Sequence, residues 1–269
     1  MAITTLAGIL AGLRPREPFI KTGATMEAAG VLHSLLYTAG KPAAASVPSP
    51  GVSGAALTTY AGQIPFTNPA SGSSYLARFA AASTSPGCLL LCDRLWHNSG
   101  LSTTAGGNQA VNSVTWPARD RLGDTFGNGV FVGLEVSSAL GNAGPSTSIS
   151  ISYTDKDGAV GNTGTIPSLP ATPVAGTFVP FTLAAGDTGV RSVQTLNIGG
   201  TSLVSGAYHL VAYRVLAIAM CGRRRKSERA DAIRIGFPRL YNNTVPFLLW
   251  LPTSTTAATI SGEVVYAQG

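Results

Sequence analysis

Charged residues are scarce in this chain: they make up 11% of its 269 residues, whereas soluble domains commonly contain about 25%. Hydrophobic residues make up 45%, which is enough to bury a substantial core. A surface with so few charges is poorly protected against association. Two interpretations stay open: a surface partly covered by neighbouring molecules, or a free soluble protein whose Ala and Gly content reflects a GC-rich genome. We expect a homo-oligomer with closed symmetry.

The net charge of +6 is concentrated in one short run. Arg223, Arg224, Arg225, Lys226 and Arg229 surround a single acidic residue. The rest of the chain is nearly neutral, which argues against a broad nucleic-acid-binding face. Two interpretations stay open for the run: a solvated loop between strands, or a contact with an acidic partner. A protein partner fits better than DNA, because one loop offers few phosphate contacts.

Cysteine is also rare, with Cys88, Cys92 and Cys221 only. In an extended strand the first two would lie about 13 Å apart, beyond the roughly 7 Å that a disulfide spans, so we expect reduced thiols. No segment predicts a signal peptide or a membrane span, because residues 1–13 are too short and residues 203–221 contain His209 and Arg214. We therefore expect synthesis in the cytoplasm and no membrane contact.

Signatures of catalysis are missing as well. The chain contains no nucleophile elbow, phosphate-binding loop or zinc-protease motif. The three histidines, His33, His97 and His209, are far apart and predict ordinary structural roles. Asp155–Gly158 resembles the start of a calcium loop, but Ile166 stands where the twelfth-position Glu is required, so a hairpin turn is the better interpretation. We predict that the chain is not an enzyme and has no catalytic, cofactor-binding or metal-binding residues.

The first 85 residues differ from the remainder. Residues 1–21 have no clear period and predict an extended arm, and residues 41–82 are rich in Pro, Gly, Ser and Ala. Between them, Met26–Ala39 has an apolar stripe at helical spacing and predicts one short helix. We expect this helix and the arm to lie across a neighbouring subunit. The candidate contact residues on the stripe are Val31, Leu32, Leu35 and Leu36.

From residue 86 onward, short apolar or alternating runs are separated by turn residues. The clearest is Thr147–Thr154, where Ile149, Ile151 and Tyr153 alternate with serines. The pattern predicts an all-β fold, a β-sandwich or jelly roll, formed by residues 86–269 and preceded by the 1–85 segment. The predicted strands are Cys88–Trp96, Gly129–Leu140, Thr147–Thr154, Thr177–Leu183, Val190–Ile198, Tyr208–Met220, Ala232–Ile235, Val245–Leu251 and Thr259–Tyr266.

Three stretches, Leu13–Lys21, Met26–Leu35 and Cys92–Leu101, resemble virion structural proteins of tailed bacteriophages. The resemblance implies a particle component made in the bacterial host, with the major capsid protein or other virion proteins as partners. It implies a capsid decoration or minor capsid protein that stabilises the head. Two alternatives stay open: a collar, tail or host-surface glycan-binding virion protein, and a carbohydrate-active enzyme with two carboxylates in a cleft.

Overall fold

The computed structural model describes residues 3, 5–24, 29–104, 107–141, 149–166, 169–170, 173–199, 205–222 and 228–269. The fold is all-β, as the sequence predicts. It comprises two compact units: unit 1 contains Met1–Ala45, Thr58–Asp93 and Val215–Gly269, and unit 2 contains Ser46–Leu57 and Arg94–Arg214. No helix in the described ranges is long and apolar enough to cross a membrane.

The regular elements begin with helix α1 at Leu6–Ala11, and a short 3-10 helix occupies Leu35–Tyr37. The strands in chain order are β1 Glu17–Ala24, β2 Leu32–Ser34, β3 Gly40–Lys41, β4 Ala55–Ala56, β5 Ser74–Ser83, β6 Gly87–His97, β7 Asn108–Ala110, β8 Phe131–Gly141, β9 Ile149–Asp155, β10 Asn162–Ile166, β11 Thr177–Pro180, β12 Val190–Asn197, β13 Ser205–Cys221, β14 Glu228–Asp231, β15 Arg239–Leu240, β16 Pro246–Pro252 and β17 Ala258–Gln268.

Unit 1 contains a six-stranded sheet in the order β14-β5-β17-β1-β3, with β15 also paired to β5. Strand β17 is central and runs antiparallel to both neighbours, so that Val264 lies opposite Glu17 on one side and Phe79 on the other. Strand β16 pairs with β2 and with the first part of β6. Side chains from these strands, including Trp250, form one buried core.

Unit 2 contains a four-stranded sheet in the order β10-β9-β12-β7. Strand β8 pairs with β11 and with the first half of β13. The alternation predicted for β9 is confirmed, because Ile149, Ile151 and Tyr153 are all buried in the core of this unit. The turn after β9 is confirmed too: Gly158 has φ 91°, and β9 continues into the antiparallel strand β10.

Of the helix predicted at Met26–Ala39, the structure describes residues 29–39, and over these residues the prediction is wrong. Residues 25–28 lie outside the described ranges. Gly30 has φ 80°, and the following residues form β2 and the 3-10 helix. Strand β2 pairs His33 with Trp250 of β16, a partner more than 200 residues away in the sequence. The apolar residues there satisfy a long-range pairing, and this outweighs their helical spacing.

The α-helix is found instead in the segment predicted to be an irregular arm, where the Thr5 hydroxyl accepts a hydrogen bond from the Gly8 amide.

The predicted boundary between residues 85 and 86 runs through unit 1. Strands β1 and β5, both from the first 85 residues, flank β17 near the C-terminal end of the chain. The strand predicted at Ala232–Ile235 is a turn, and β14 ends just before it.

Candidate functional site

Of the contact residues predicted from the sequence, those that the structure describes do not form one exposed surface. Residues 223–226 lie outside the described residues, and Arg229 lies in β14. Leu35 and Leu36 are buried, and Leu35 belongs to the core of unit 1. Val31 and Leu32 are half-buried. The described residues 29–39 form no α-helix, and Leu35 and Leu36 stabilise the fold because their side chains are buried within it.

A buried polar centre lies in unit 2, where neighbouring strands bring four ionisable side chains together. Arg94 and His97 come from β6, Glu135 from β8 and His209 from β13, and Glu135 lies opposite His209 in the strand register. Arg94 Nη2 donates to Glu135 Oε2 over 2.6 Å, and both side chains are 0% exposed. His209 Nε2 also lies 2.6 Å from that oxygen. Arg94 Nε donates to His97 Nδ1 over 3.2 Å.

The protonation states of this centre follow from its contacts. Burial raises the pKa of the Glu135 carboxyl, but the Arg94 charge and the His209 and Arg94 hydrogen bonds outweigh it and hold the pKa well below its usual range. Burial, together with the Arg94 charge, lowers the pKa of His97 to about 2. Burial also lowers the pKa of His209, against the opposing effect of Glu135. The centre is therefore one internal ion pair with two neutral imidazoles.

These four groups are closed to solvent, so their evident role is to connect β6, β8 and β13. Sequence reasoning assigned structural roles to the histidines but did not bring His97 and His209 together; their rings lie 6.2 Å apart. The available signal was a charged residue, Glu135, inside an otherwise apolar run, because such residues are buried only when they are paired. Among the described residues, no group of three His, Cys, Asp or Glu side chains is placed to hold a metal ion.

A second buried carboxylate fixes a surface loop of unit 2. Asp120 accepts hydrogen bonds from the amides of Leu122, Asp124 and Asn128 over 2.8–2.9 Å, and from the Asn128 side chain over 3.1 Å. These backbone hydrogen bonds lower the pKa of Asp120 although burial acts in the opposite direction. The loop presents Leu122 and Phe126 to solvent. The guanidinium of Arg191 lies 5.0 Å from the centre of the Phe126 ring.

An apolar groove lies in unit 1 beside α1. This helix has the sequence LAGILA and none of its residues is buried. Leu6 is 70% exposed and Leu10 61% exposed, and Ile233, in the turn after β14, is 90% exposed. The α1 groove has a volume of about 370 Å³, and it is lined by Leu6, Ile9, Leu10, Leu13, Arg14, Arg16, Ala77, Arg78, Asp231, Ala232, Ile233 and Val265.

The walls of the α1 groove are held by backbone hydrogen bonds to β17. The Arg14 amide donates to the Tyr266 carbonyl, and the Gln268 amide donates to the Gly12 carbonyl, each over 2.9 Å. A side chain at Gly12 would meet the Gln268 carbonyl oxygen at 2.6 Å, so glycine is needed for this close approach. The segment that follows α1 is thereby fixed alongside the C-terminal end of β17, while the side chains of the helix remain uncovered.

No known family matches this sequence, and no curated protein is similar to it. Among solved structures, the crystal structure of the infectious bursal disease virus VP2 subviral particle aligns with 96% of this chain and 80% of its own, at 9% identity and a TM-score of 0.19. The structure of the infectious bursal disease virus Gt strain aligns with 95% of this chain and 65% of its own, at 10% identity and a TM-score of 0.15. Scores this low carry no argument about function.

Proposed function

We propose that this chain is a structural protein of a virus particle that acts through contacts between proteins. Within that class we propose a tailed-phage virion protein of the capsid decoration or minor capsid type, which stabilises the head and is made in the bacterial host. The finer proposal depends on the resemblance of Leu13–Lys21, Met26–Leu35 and Cys92–Leu101 to virion structural proteins. The observation that carries a contact role is the uncovered apolar helix α1.

The buried charges support the same proposal. Arg94, Glu135, His97 and His209 bind one another inside unit 2, and Asp120 binds its own loop. None of these groups is available to a substrate, so their contribution is to stability. The apolar side chains at the α1 groove are, by contrast, available: covering a Leu or Ile side chain contributes about 1.5–3 kcal/mol. Leu6, Leu10 and Ile233 together could therefore stabilise a contact by several kcal/mol.

A second candidate is a collar, tail or host-surface glycan-binding virion protein, and the Asp120 loop favours it. Exposed Phe126, on this fixed loop, pairs with the guanidinium of Arg191 from β12, and aromatic and Arg side chains dominate many binding sites. Purified protein applied to an array of bacterial surface glycans would test this role. Binding that is lost in Phe126→Ala, with unchanged thermal stability, would favour host-surface recognition over head stabilisation.

The main proposal is tested in particles. An epitope-tagged copy of the chain is produced in infected host cells, and particles are purified by density-gradient centrifugation. We expect the tagged chain to sediment with filled heads and to appear on the shell in cryo-electron microscopy. Density at the neck or tail would favour the second candidate. A chain that remains in the soluble fraction, with none in the particles, would refute both.

A further inference from the structure

We propose that the α1 groove binds an amphipathic segment of another particle protein, in which apolar side chains are flanked by carboxylates. The identity of the partner as a particle protein rests on the proposed function. The chemistry of the segment rests on the groove itself, namely its apolar lining, its prearranged walls and the excess of positive charge on its rim.

The lining determines that apolar side chains enter. Leu6, Ile9 and Leu10 of α1 form one wall, and Ala77 of β5 and Val265 of β17 lie among the sheet residues that complete it. The volume of about 370 Å³ is within the range of roughly 300–1,000 Å³ found for binding pockets. Because backbone hydrogen bonds to β17 already position the wall, little ordering is needed on binding. Grooves of this kind accept the apolar face of a short segment.

The rim determines the charge of the segment. Arg16 and Arg78 share one carboxylate, Glu263, at 3.4 and 2.8 Å. Arg14 donates to the neutral side-chain oxygen of Gln268 over 2.7 Å. Among the described side chains at this rim, three guanidinium groups therefore face two carboxylates, those of Glu263 and Asp231, and Arg16 is 66% exposed. An incoming carboxylate can bind at this rim, whereas an incoming ammonium or guanidinium group is repelled.

The same charges argue against the other occupants. A second copy placed symmetrically on the groove would bring two sets of Arg14, Arg16 and Arg78 together, and like charges across an interface oppose association. A nucleic acid would supply phosphates for the rim but no apolar group for Leu6, Leu10 and Ile233. An acidic amphipathic protein segment satisfies both parts of the groove.

The experiment measures binding of two labelled peptides to the full chain by fluorescence anisotropy. Both peptides have leucine at positions 1, 4, 5 and 8 of a helical repeat, and they carry either glutamate or lysine at the flanking positions. We expect the glutamate peptide to bind at least about tenfold more tightly, which corresponds to about 1.4 kcal/mol. The difference should shrink at about 0.5 M salt, because exposed charges are then screened.

Matched variants locate the site. Leu10→Ser and Ile233→Ser each weaken binding of the glutamate peptide about tenfold or more, and their exposure leaves folding intact. Arg16→Gln reduces the preference for glutamate over lysine while retaining binding. Leu122→Ser, which removes an exposed leucine from unit 2, serves as the control and leaves both affinities unchanged.

Three results would overturn the inference: no binding of either peptide, equal binding of both, or equal effects of Leu10→Ser and Leu122→Ser. A dimer in light scattering that Leu10→Ser converts to monomer would also overturn it, because the groove would then be filled by a second copy. Each of these results leaves the particle-association experiment unaffected. Conversely, peptide binding by a chain absent from particles would refute the proposed function and retain the groove chemistry.

Discussion

Removing the charge of Glu135 should destabilise unit 2 strongly. In Glu135→Gln the guanidinium of Arg94, 0% exposed in the folded chain, keeps its charge but loses its ion pair with Glu135. Breaking a buried ion pair from one side costs about 3–5 kcal/mol, because a desolvated charge is left uncompensated. That is a large part of the roughly 5–15 kcal/mol that stabilises a typical domain. Urea unfolding followed by tryptophan fluorescence measures the change, since Trp96 and Trp116 lie in the core of the same unit.

Two further variants show whether buried charge is the cause. Arg94→Met combined with Glu135→Leu removes both charges, and replacing a buried pair by apolar side chains of similar size is often nearly neutral. The double variant should therefore be more stable than Glu135→Gln. Arg16→Gln breaks an exposed ion pair with Glu263 and should cost at most about 1 kcal/mol. The reasoning is refuted if Glu135→Gln costs no more than Arg16→Gln.

Acid should destabilise unit 2, because the folded-state pKa values of His97 and His209 are lowered from 6.5. Below about pH 6.5 the unfolded chain takes up these two protons and the folded chain does not. Each histidine then lowers the free energy of unfolding by up to about 1.4 kcal/mol per pH unit. Below pH 4.5, the ordinary pKa of a glutamate, the lowered pKa of Glu135 adds a further loss of stability. A free energy of unfolding that stays constant from about pH 7 to about pH 5 would contradict the contribution of the two histidines. Asp120→Asn leaves one acceptor oxygen for four donors and should lower the free energy of unfolding by about 1–3 kcal/mol. The amides of residues 122, 124 and 128 should then exchange hydrogen faster, and unchanged exchange would count against this role of Asp120. Gly127→Ala should prevent folding of unit 2, because the added Cβ would lie 1.9 Å from the Val190 carbonyl oxygen. Gly161 has a similar positive φ but open space around it, so Gly161→Ala should cost only about 1–2 kcal/mol. Equal Tm values for the two variants would refute this prediction.

Eight of the nine strands that local patterns predicted are present, although the structure also contains strands that these patterns did not predict. Along β9 the alternation of apolar residues with serines matches a sheet with one buried face, and the structure buries Ile149, Ile151 and Tyr153. The turn Asp155–Gly158 was also predictable, because its carboxylate and its glycine with positive φ act within a few residues. In such segments the sequence pattern and the structure that it predicts both extend over only a few residues.

Strand β5 shows where local patterns are insufficient. Its sequence SYLARFAAAS is rich in alanine and serine and lies in a segment predicted to be irregular, yet it pairs with β17 along most of its length. The pairing is imposed by a partner strand near the other end of the chain. The leucines of residues 32–36 fit a helix equally well by spacing, and pairing with β16 decides against it.

The candidate functional residues also divide into those that the sequence identified and those that only the tertiary structure revealed. The sequence by itself determined the all-β class, the strands with strong alternation, the shortage of charge and the absence of known catalytic motifs, because each depends on composition or on residues close together in the chain. Only the tertiary structure decided which polar residues meet, because Arg94, Glu135 and His209 come from three strands distant in sequence. It also decided that Leu35 and Leu36 are buried while Leu6 and Leu10 remain exposed, because exposure depends on which strands pack over a side chain and not on how apolar it is.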